Sequence, residues 1–164
     1  MIQFSGEALA EYERILARYP VKRAAMMPVL WLAQKEFGYL SAEAQQYVAD
    51  LMAFPIAWVS GVASFYTMYY KKPIGRFHLQ VCTNVSCMLR GSDDIVRAVA
   101  SRLGIGLGQT TADGTFSLDE VECLASCGTA PMMQVNDDYH ENLTPASTLE
   151  LLERLSRASS ASGD

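Results

Sequence analysis

Two pairs of cysteines constrain this chain more than any other feature of its sequence. The 4 cysteines form one pair with four intervening residues and a second pair with three. These are Cys82 and Cys87, then Cys123 and Cys127. Thiolates are soft ligands that select zinc, copper(I) or iron–sulfur clusters over hard cations. The two pairs therefore predict a four-thiolate site for a soft metal.

The spacing of the cysteines in each pair can be compared with three kinds of cysteine site. A [2Fe–2S] cluster takes four cysteines, two on each iron. Structural zinc more often uses C-x2-C knuckles, and a thioredoxin-type catalytic pair needs C-x-x-C, which this sequence lacks. We therefore favour a [2Fe–2S] cluster, with a zinc-stabilised interaction module and a thiol redox enzyme as alternatives. We assign Cys82 and Cys87 to one iron and Cys123 and Cys127 to the other, although spacing alone leaves this partition open.

Composition and charge argue against several functional classes. The chain carries 13 Lys+Arg against 18 Asp+Glu, for a formal net charge of −5, whereas nucleic-acid affinity depends on neutralising phosphates. No stretch approaches the roughly 18 consecutive apolar residues of a membrane helix, and the N-terminus lacks the pattern of a secretory signal. We therefore expect a cytoplasmic protein with no nucleic-acid partner and no inserted segment. In a reducing compartment, paired cysteines are more often ligands or redox groups than disulfides.

The first part of the chain has the apolar periodicity of four helices. Ser5 and Ser41 are placed as N-terminal caps, and Pro55 suits a first helical turn. Both tryptophans, Trp31 and Trp58, are predicted to lie in the core. The four predicted helices span residues 6–19, 22–37, 42–52 and 55–66. The Lys-Lys-Pro-Ile-Gly sequence at residues 71–75 then predicts a domain boundary.

The second part alternates between apolar and polar residues from Phe77 to Cys82, which indicates a strand. A helix at residues 92–103 supplies the crossover that a parallel connection needs. Thr144 and Pro145 begin a last helix. Further extended segments are predicted at residues 115–118, 120–123, 132–135 and 139–142. The fold class is therefore α+β: a helical domain at 1–74, an α/β domain at 75–155 and a disordered tail at 156–164.

Several further motifs accompany the cysteines in a fixed order. They are Leu30–Leu40, Gly61–Tyr66 and Ala130–Asn136, and the resemblance that they carry spans about residues 19–152. In this series the chain resembles the E-subunit family of NADH-quinone oxidoreductase, the 24-kDa-type component of respiratory complex I.

That resemblance implies a thioredoxin-like fold with one [2Fe–2S] cluster bound by Cys82, Cys87, Cys123 and Cys127. It implies a flavin-binding and NADH-binding partner (the F subunit, of the 51-kDa type) that holds the FMN, within the peripheral arm of complex I on the cytoplasmic face of the inner membrane. The implied activity is one-electron transfer in an NADH dehydrogenase, with no catalytic residue in this chain. Related proteins occur in NAD-linked hydrogenases and formate dehydrogenases, which are the alternative assignment.

Overall fold

The structure is a computed structural model that describes residues 2–160. The chain divides into two compact units, Met1–Pro73 and Ile74–Asp164. Within the described residues, no helix combines the length and the apolar character that crossing a bilayer requires.

The first unit is helical, as the periodicity predicts. Its helices are α1 (Gly6–Ala17), α2 (Met26–Phe37), α3 (Ala42–Met52) and α4 (Ile56–Phe65). The two predicted caps are confirmed, because the hydroxyl of Ser5 accepts from the Ala8 amide and that of Ser41 from the Ala44 amide. Each bond satisfies one of the amides that have no partner inside the helix.

This unit differs from the sequence-based expectation in the start of α2 and in the positions of the tryptophans. The second predicted helix begins as a 3₁₀ turn at Lys22–Ala25, and the α-helix starts at Met26, which leaves Pro28 within its first turn. The tryptophans are not core residues: Trp31 is 44% exposed and Trp58 is 46% exposed. One face of Trp58 is covered instead by the Arg23 guanidinium, 4.4 Å from the ring centroid.

The second unit contains a five-stranded sheet in the order β2-β3-β1-β4-β5. The strands are β1 (Phe77–Cys82), β2 (Gln109–Thr110), β3 (Phe116–Val121), β4 (Met133–Val135) and β5 (Asp138–His140). The predicted parallel connection is confirmed, since β1 and β3 pair in parallel over six residues each. The other three pairings are antiparallel.

Helices α5 (Val85–Leu89), α6 (Ser92–Leu103) and α7 (Pro145–Ser160) complete this unit. Leu79 and Val81 of β1 lie on one face of the sheet and belong to a single buried cluster with residues of α6 and α7. Residues two apart share a face of a strand, so the other face of β1 carries His78, Gln80 and Cys82. Cys82 is thereby the last residue of the central strand of the sheet.

Several boundaries in this unit are corrected. The two extended segments expected at 115–118 and 120–123 form one strand, β3, because the whole of it pairs with β1. Strand β2 lies where no element is predicted, because two residues are too few to show an alternating pattern. Helix α5, which contains Cys87, is likewise too short to display a helical period.

The tail predicted at residues 156–164 begins too early. Helix α7 extends to Ser160, so residues 156–160 are helical, and residues 161–164 lie outside the described part of the chain. Arg157 pairs with Glu153 one turn earlier at 3.5 Å, and the Arg76 guanidinium donates to the carbonyl of Ser159 at 3.3 Å. These contacts favour helix in a segment whose small polar residues suggested disorder.

We expect Gly75→Ala to destabilise the second unit by about 1–3 kcal/mol, the usual cost of overpacking. A Cβ at this position lies 2.6 Å from the carbonyl carbon and 2.9 Å from the Cα of Phe116, so backbone must move. The Gly75 amide also donates to the Ser117 hydroxyl at 2.6 Å. Because the 2 tryptophans both lie in the first unit, their fluorescence reports on that unit alone, whereas far-UV circular dichroism reports on both. A shift of the urea transition that appears in circular dichroism but not in fluorescence measures the effect on the second unit.

Gly61→Ala is the matched control. Gly61 lies inside α4, and an added Cβ meets nothing within 4 Å. Alanine is favoured over glycine inside a helix by roughly 0.5–1 kcal/mol, so we expect a small stabilisation of the first unit, read from tryptophan fluorescence. Equal effects of the two substitutions would show that the close approach at Phe116 does not limit residue 75.

Candidate metal centre

The carboxyl ends of β1 and β3 lie side by side and carry both cysteine stretches. In the parallel register, Cys82 is opposite Val121, so the two strands end in the same row. Cys123 follows two residues after Val121. The Thr83 amide donates to the Val121 carbonyl at 3.1 Å, and the Cys82 amide donates to the Met132 carbonyl at 3.2 Å. The parallel pairing thus brings two loops, far apart in sequence, to one edge of the sheet.

The first pair of cysteines is buried. Cys82 is 3% exposed and Cys87 is 2% exposed, and they form a small buried cluster with Ala130 and Met132. Helix α5 is what returns the chain to this point: Cys87 is its third residue, five positions after the end of β1. The Asn84 carbonyl accepts from the Met88 amide at 2.9 Å, which closes the first turn of α5.

The second pair lies at the surface. Cys123 and Cys127 are both exposed, and Cys127 begins a 3₁₀ turn that ends at Thr129. Between them, Ala125 has a φ of 61°, a conformation that side chains other than glycine seldom adopt. This conformation aims the Ala125 amide at the Cys123 sulfur, which accepts its hydrogen bond at 3.3 Å.

The thiols influence one another electrostatically. Burial raises the pKa of Cys87 to about 11, and a hydrogen bond with the Cys82 side chain and the charges of Cys82 and Cys127 add to that increase. The Met132 amide acts in the opposite direction by donating to the Cys87 sulfur. In the described part of the chain, no three His, Cys, Asp or Glu side chains converge as a single-ion site. The structure therefore brings Cys82 and Cys87 together, with Cys127 close enough to act on Cys87.

The donor set suits an iron–sulfur cluster. All four thiols are free, two amides already donate to cysteine sulfurs, and the buried pair is surrounded by apolar side chains. Amide donors stabilise the negative charge that cluster sulfurs carry, and together with burial they tune its reduction potential. A binuclear cluster needs two cysteines on each iron, so the four thiols are the number that it requires.

Residues near β5 hold the second cysteine loop, and the sequence analysis missed them. The Tyr139 hydroxyl donates to the Leu124 carbonyl at 3.0 Å, and the Asn142 amide donates to the Thr129 carbonyl at 2.7 Å. Glu141 accepts from the hydroxyls of Ser126 and of Thr129, the latter at 2.5 Å. We call Tyr139, Glu141 and Asn142 the β5 clamp. No local motif could reveal it, because its members bond to residues more than ten positions away.

Two carboxylates near the cysteines, those of Glu141 and Asp119, have defined hydrogen-bond partners. The Ser126 and Thr129 hydroxyls lower the pKa of the exposed Glu141 carboxyl, so it is ionised at neutral pH. On the sheet face that carries Cys82, the buried His78 ring contacts the Asp119 carboxylate at 2.6 Å. Spacing along the sequence could not indicate this pair, since Asp119 lies on the neighbouring strand.

Comparison with known proteins assigns a family to this arrangement. The family described as thioredoxin-like [2Fe-2S] ferredoxin matches residues 12–156. The second E subunit of NADH-quinone oxidoreductase from Rhizobium meliloti (strain 1021) is 50% identical over 143 residues, which is 87% of this chain and 85% of that protein. The corresponding E subunit from Rickettsia conorii is 44% identical over 155 residues, 93% of each chain.

A solved structure extends the comparison to the fold. An NAD+-reducing [NiFe]-hydrogenase in the air-oxidised state superposes with a TM-score of 0.71 at 21% identity, over 81% of this chain and 23% of that chain. At this identity the likeness concerns the fold alone. The family match confirms the predicted α+β class with a thioredoxin-like second part, and it agrees with the predicted [2Fe–2S] cluster. The chain belongs to the thioredoxin-like [2Fe–2S] ferredoxin family, among the E subunits of NADH-quinone oxidoreductases.

Proposed function

We propose that this chain is the electron-transferring E subunit of an NADH-quinone oxidoreductase. In this proposal Cys82, Cys87, Cys123 and Cys127 bind one [2Fe–2S] cluster. The chain exchanges single electrons with the FMN of a partner that binds NADH. It has no catalytic residue and no substrate site of its own, because its contribution is to hold and tune the cluster.

One observation carries this proposal. Both cysteine stretches follow the carboxyl ends of the paired strands β1 and β3, in a chain that is 50% identical to an E subunit over 85% of that protein. Four thiolates with amide donors are the ligand set of a [2Fe–2S] cluster, which supplies a one-electron carrier at about −400 mV in plant-type ferredoxins. Such a potential suits exchange with a flavin that NADH reduces.

The difference in burial between the two pairs indicates the side of the site on which electrons are exchanged. Cys82 and Cys87 are enclosed by apolar groups, whereas Cys123 and Cys127 reach the surface. Electrons therefore enter and leave on the side of the exposed pair, where a partner approaches most closely. The apolar surroundings of the buried pair keep water from that side of the site.

The proposal extends to the assembly and to the roles of the domains. We infer that residues 75–155 form the cluster domain, while residues 1–74 form an accessory helical domain within the peripheral arm of the complex. The partner is a flavin-binding and NADH-binding protein of the 51-kDa, F-subunit type, and the complex holds the chain at the cytoplasmic face of the inner membrane. A diaphorase component of an NAD-linked hydrogenase or formate dehydrogenase is the second candidate, and co-purification with quinone-reducing activity distinguishes the two.

Anaerobically purified protein is expected to be red-brown, with about two irons and two sulfides per chain and a rhombic EPR signal on reduction. Cys82→Ala and Cys127→Ala should each reduce the bound iron to almost none, because either change removes one of the two cysteine ligands of an iron. Ser86→Ala, which alters a neighbour of Cys87 and no thiol, is the control and should keep its iron. Colourless protein with stoichiometric zinc would reject the cluster in favour of a zinc-stabilised module.

Alkylation of the cluster-free protein separates this function from that of a thiol redox enzyme. We expect iodoacetamide at pH 8 to modify Cys123 and Cys127 at least about tenfold faster than Cys82 and Cys87, because the thiolate is the nucleophile. Cys82 and Cys87 are buried, and the pKa of Cys87 is raised to about 11, so the Cys87 thiol stays protonated and unreactive. Peptide mass spectrometry over time measures the four rates. A fast-reacting Cys82 or Cys87 would indicate an activated thiol and contradict the ligand assignment.

A further inference from the structure

The β5 clamp holds the second cysteine loop from outside, and Glu141 is its charged member. One carboxylate oxygen of Glu141 accepts both the Ser126 and the Thr129 hydroxyls, which are themselves 2.8 Å apart. These two residues flank Cys127, one position before it and two positions after it. The carboxylate therefore ties together the two ends of the turn that carries an exposed cysteine.

The contacts of Glu141 also determine where the hydroxyl protons point. The Thr129 hydroxyl lies within 3.2 Å of the Ser126 carbonyl as well, and the Thr129 amide donates to the same carbonyl at 3.1 Å. The Ser126 hydroxyl donates to Glu141, so its proton is directed at the carboxylate. Hydrogen bonds to cluster sulfurs raise a reduction potential, and a nearby negative charge lowers it.

We propose that Glu141 is a positioning residue for the cluster. Through the hydroxyls of Ser126 and Thr129 it fixes the turn at Cys127, and its negative charge beside that turn holds the reduction potential low. The inference rests on the proposed function for its redox consequence, whereas the ordering of the turn is a property of the cluster-free chain. No motif in the sequence links Glu141 to the cysteines.

The first experiment uses the cluster-free, full-length chain and hydrogen exchange measured by mass spectrometry. Glu141→Gln keeps the size of the side chain and removes the charge, and we expect the amides of residues 125–129 to exchange about threefold faster or more. Glu141→Asp should restore slow exchange in part. Glu150→Gln removes an exposed carboxylate from α7 and serves as the charge-matched control, with exchange at 125–129 unchanged.

The second experiment uses the same variants after iron and sulfide have been incorporated. Potentiometric titration followed by EPR should show the Glu141→Gln cluster at a more positive potential with altered g values, Glu141→Asp close to the original protein and Glu150→Gln unchanged. Combining Ser126→Ala with Glu141→Gln tests whether Glu141 acts through the Ser126 hydroxyl, because two changes that act through one hydrogen bond do not shift the potential additively. Additive shifts would mean that Glu141 does not act through Ser126.

The outcomes separate this inference from the proposed function. If the original protein binds no iron or sulfide, the proposed function fails, and the exchange rates still decide whether Glu141 orders the turn. If the original protein binds the cluster but Glu141→Gln has the same exchange rates or the same potential, the inference is overturned. It is also overturned if Glu150→Gln changes the exchange rates and the potential as much as Glu141→Gln does. Should Glu141→Gln fail to fold, Ser126→Ala and Thr129→Val remove the same hydrogen bonds, and unchanged exchange in both would overturn it.

Discussion

The parallel pairing of β1 with β3 is the interaction on which the candidate site depends. It aligns Cys82 with Val121 and so ends both strands in one row. Two cysteine stretches that are separated by residues 88–122 in sequence thereby share one edge of the sheet. The pairing requires the crossover through α6, whose Ile95 and Val99 pack in the same buried cluster as Leu79 and Val81. Burial of that apolar face stabilises the register, and the register positions the thiols.

The two sides of the site differ in what holds them. On the β1 side, Cys82 and Cys87 are held by the sheet and by burial beside Ala130 and Met132. On the β3 side, the loop is exposed, and its conformation depends on discrete hydrogen bonds from the β5 clamp and on the unusual backbone of Ala125. Burial makes the first side insensitive to single polar changes, whereas the second side responds to the loss of one bond partner.

Much of this arrangement is predictable from local sequence. Ser5 and Ser41 cap helices because their hydroxyls reach amides three residues on, a relation that sequence spacing contains directly. The alternation from Phe77 to Val81 predicts the central strand for a similar reason. Where elements are too short to show a period, as in β2 and α5, the prediction fails. Trp31 and Trp58 show the same limit, because hydrophobic character alone does not say which side of a helix another element covers.

The sequence by itself determined that four thiols form two local pairs, that helices precede a sheet, and which family motifs accompany them. These properties depend on residue type and on short spacing along the chain. Only the tertiary structure decided that Cys82 and Cys87 are buried while Cys123 and Cys127 are exposed, and that Glu141 bonds to both ends of the Cys127 turn. Burial and long-range hydrogen bonds depend on which segments meet after the strands pair, and no local pattern contains that information.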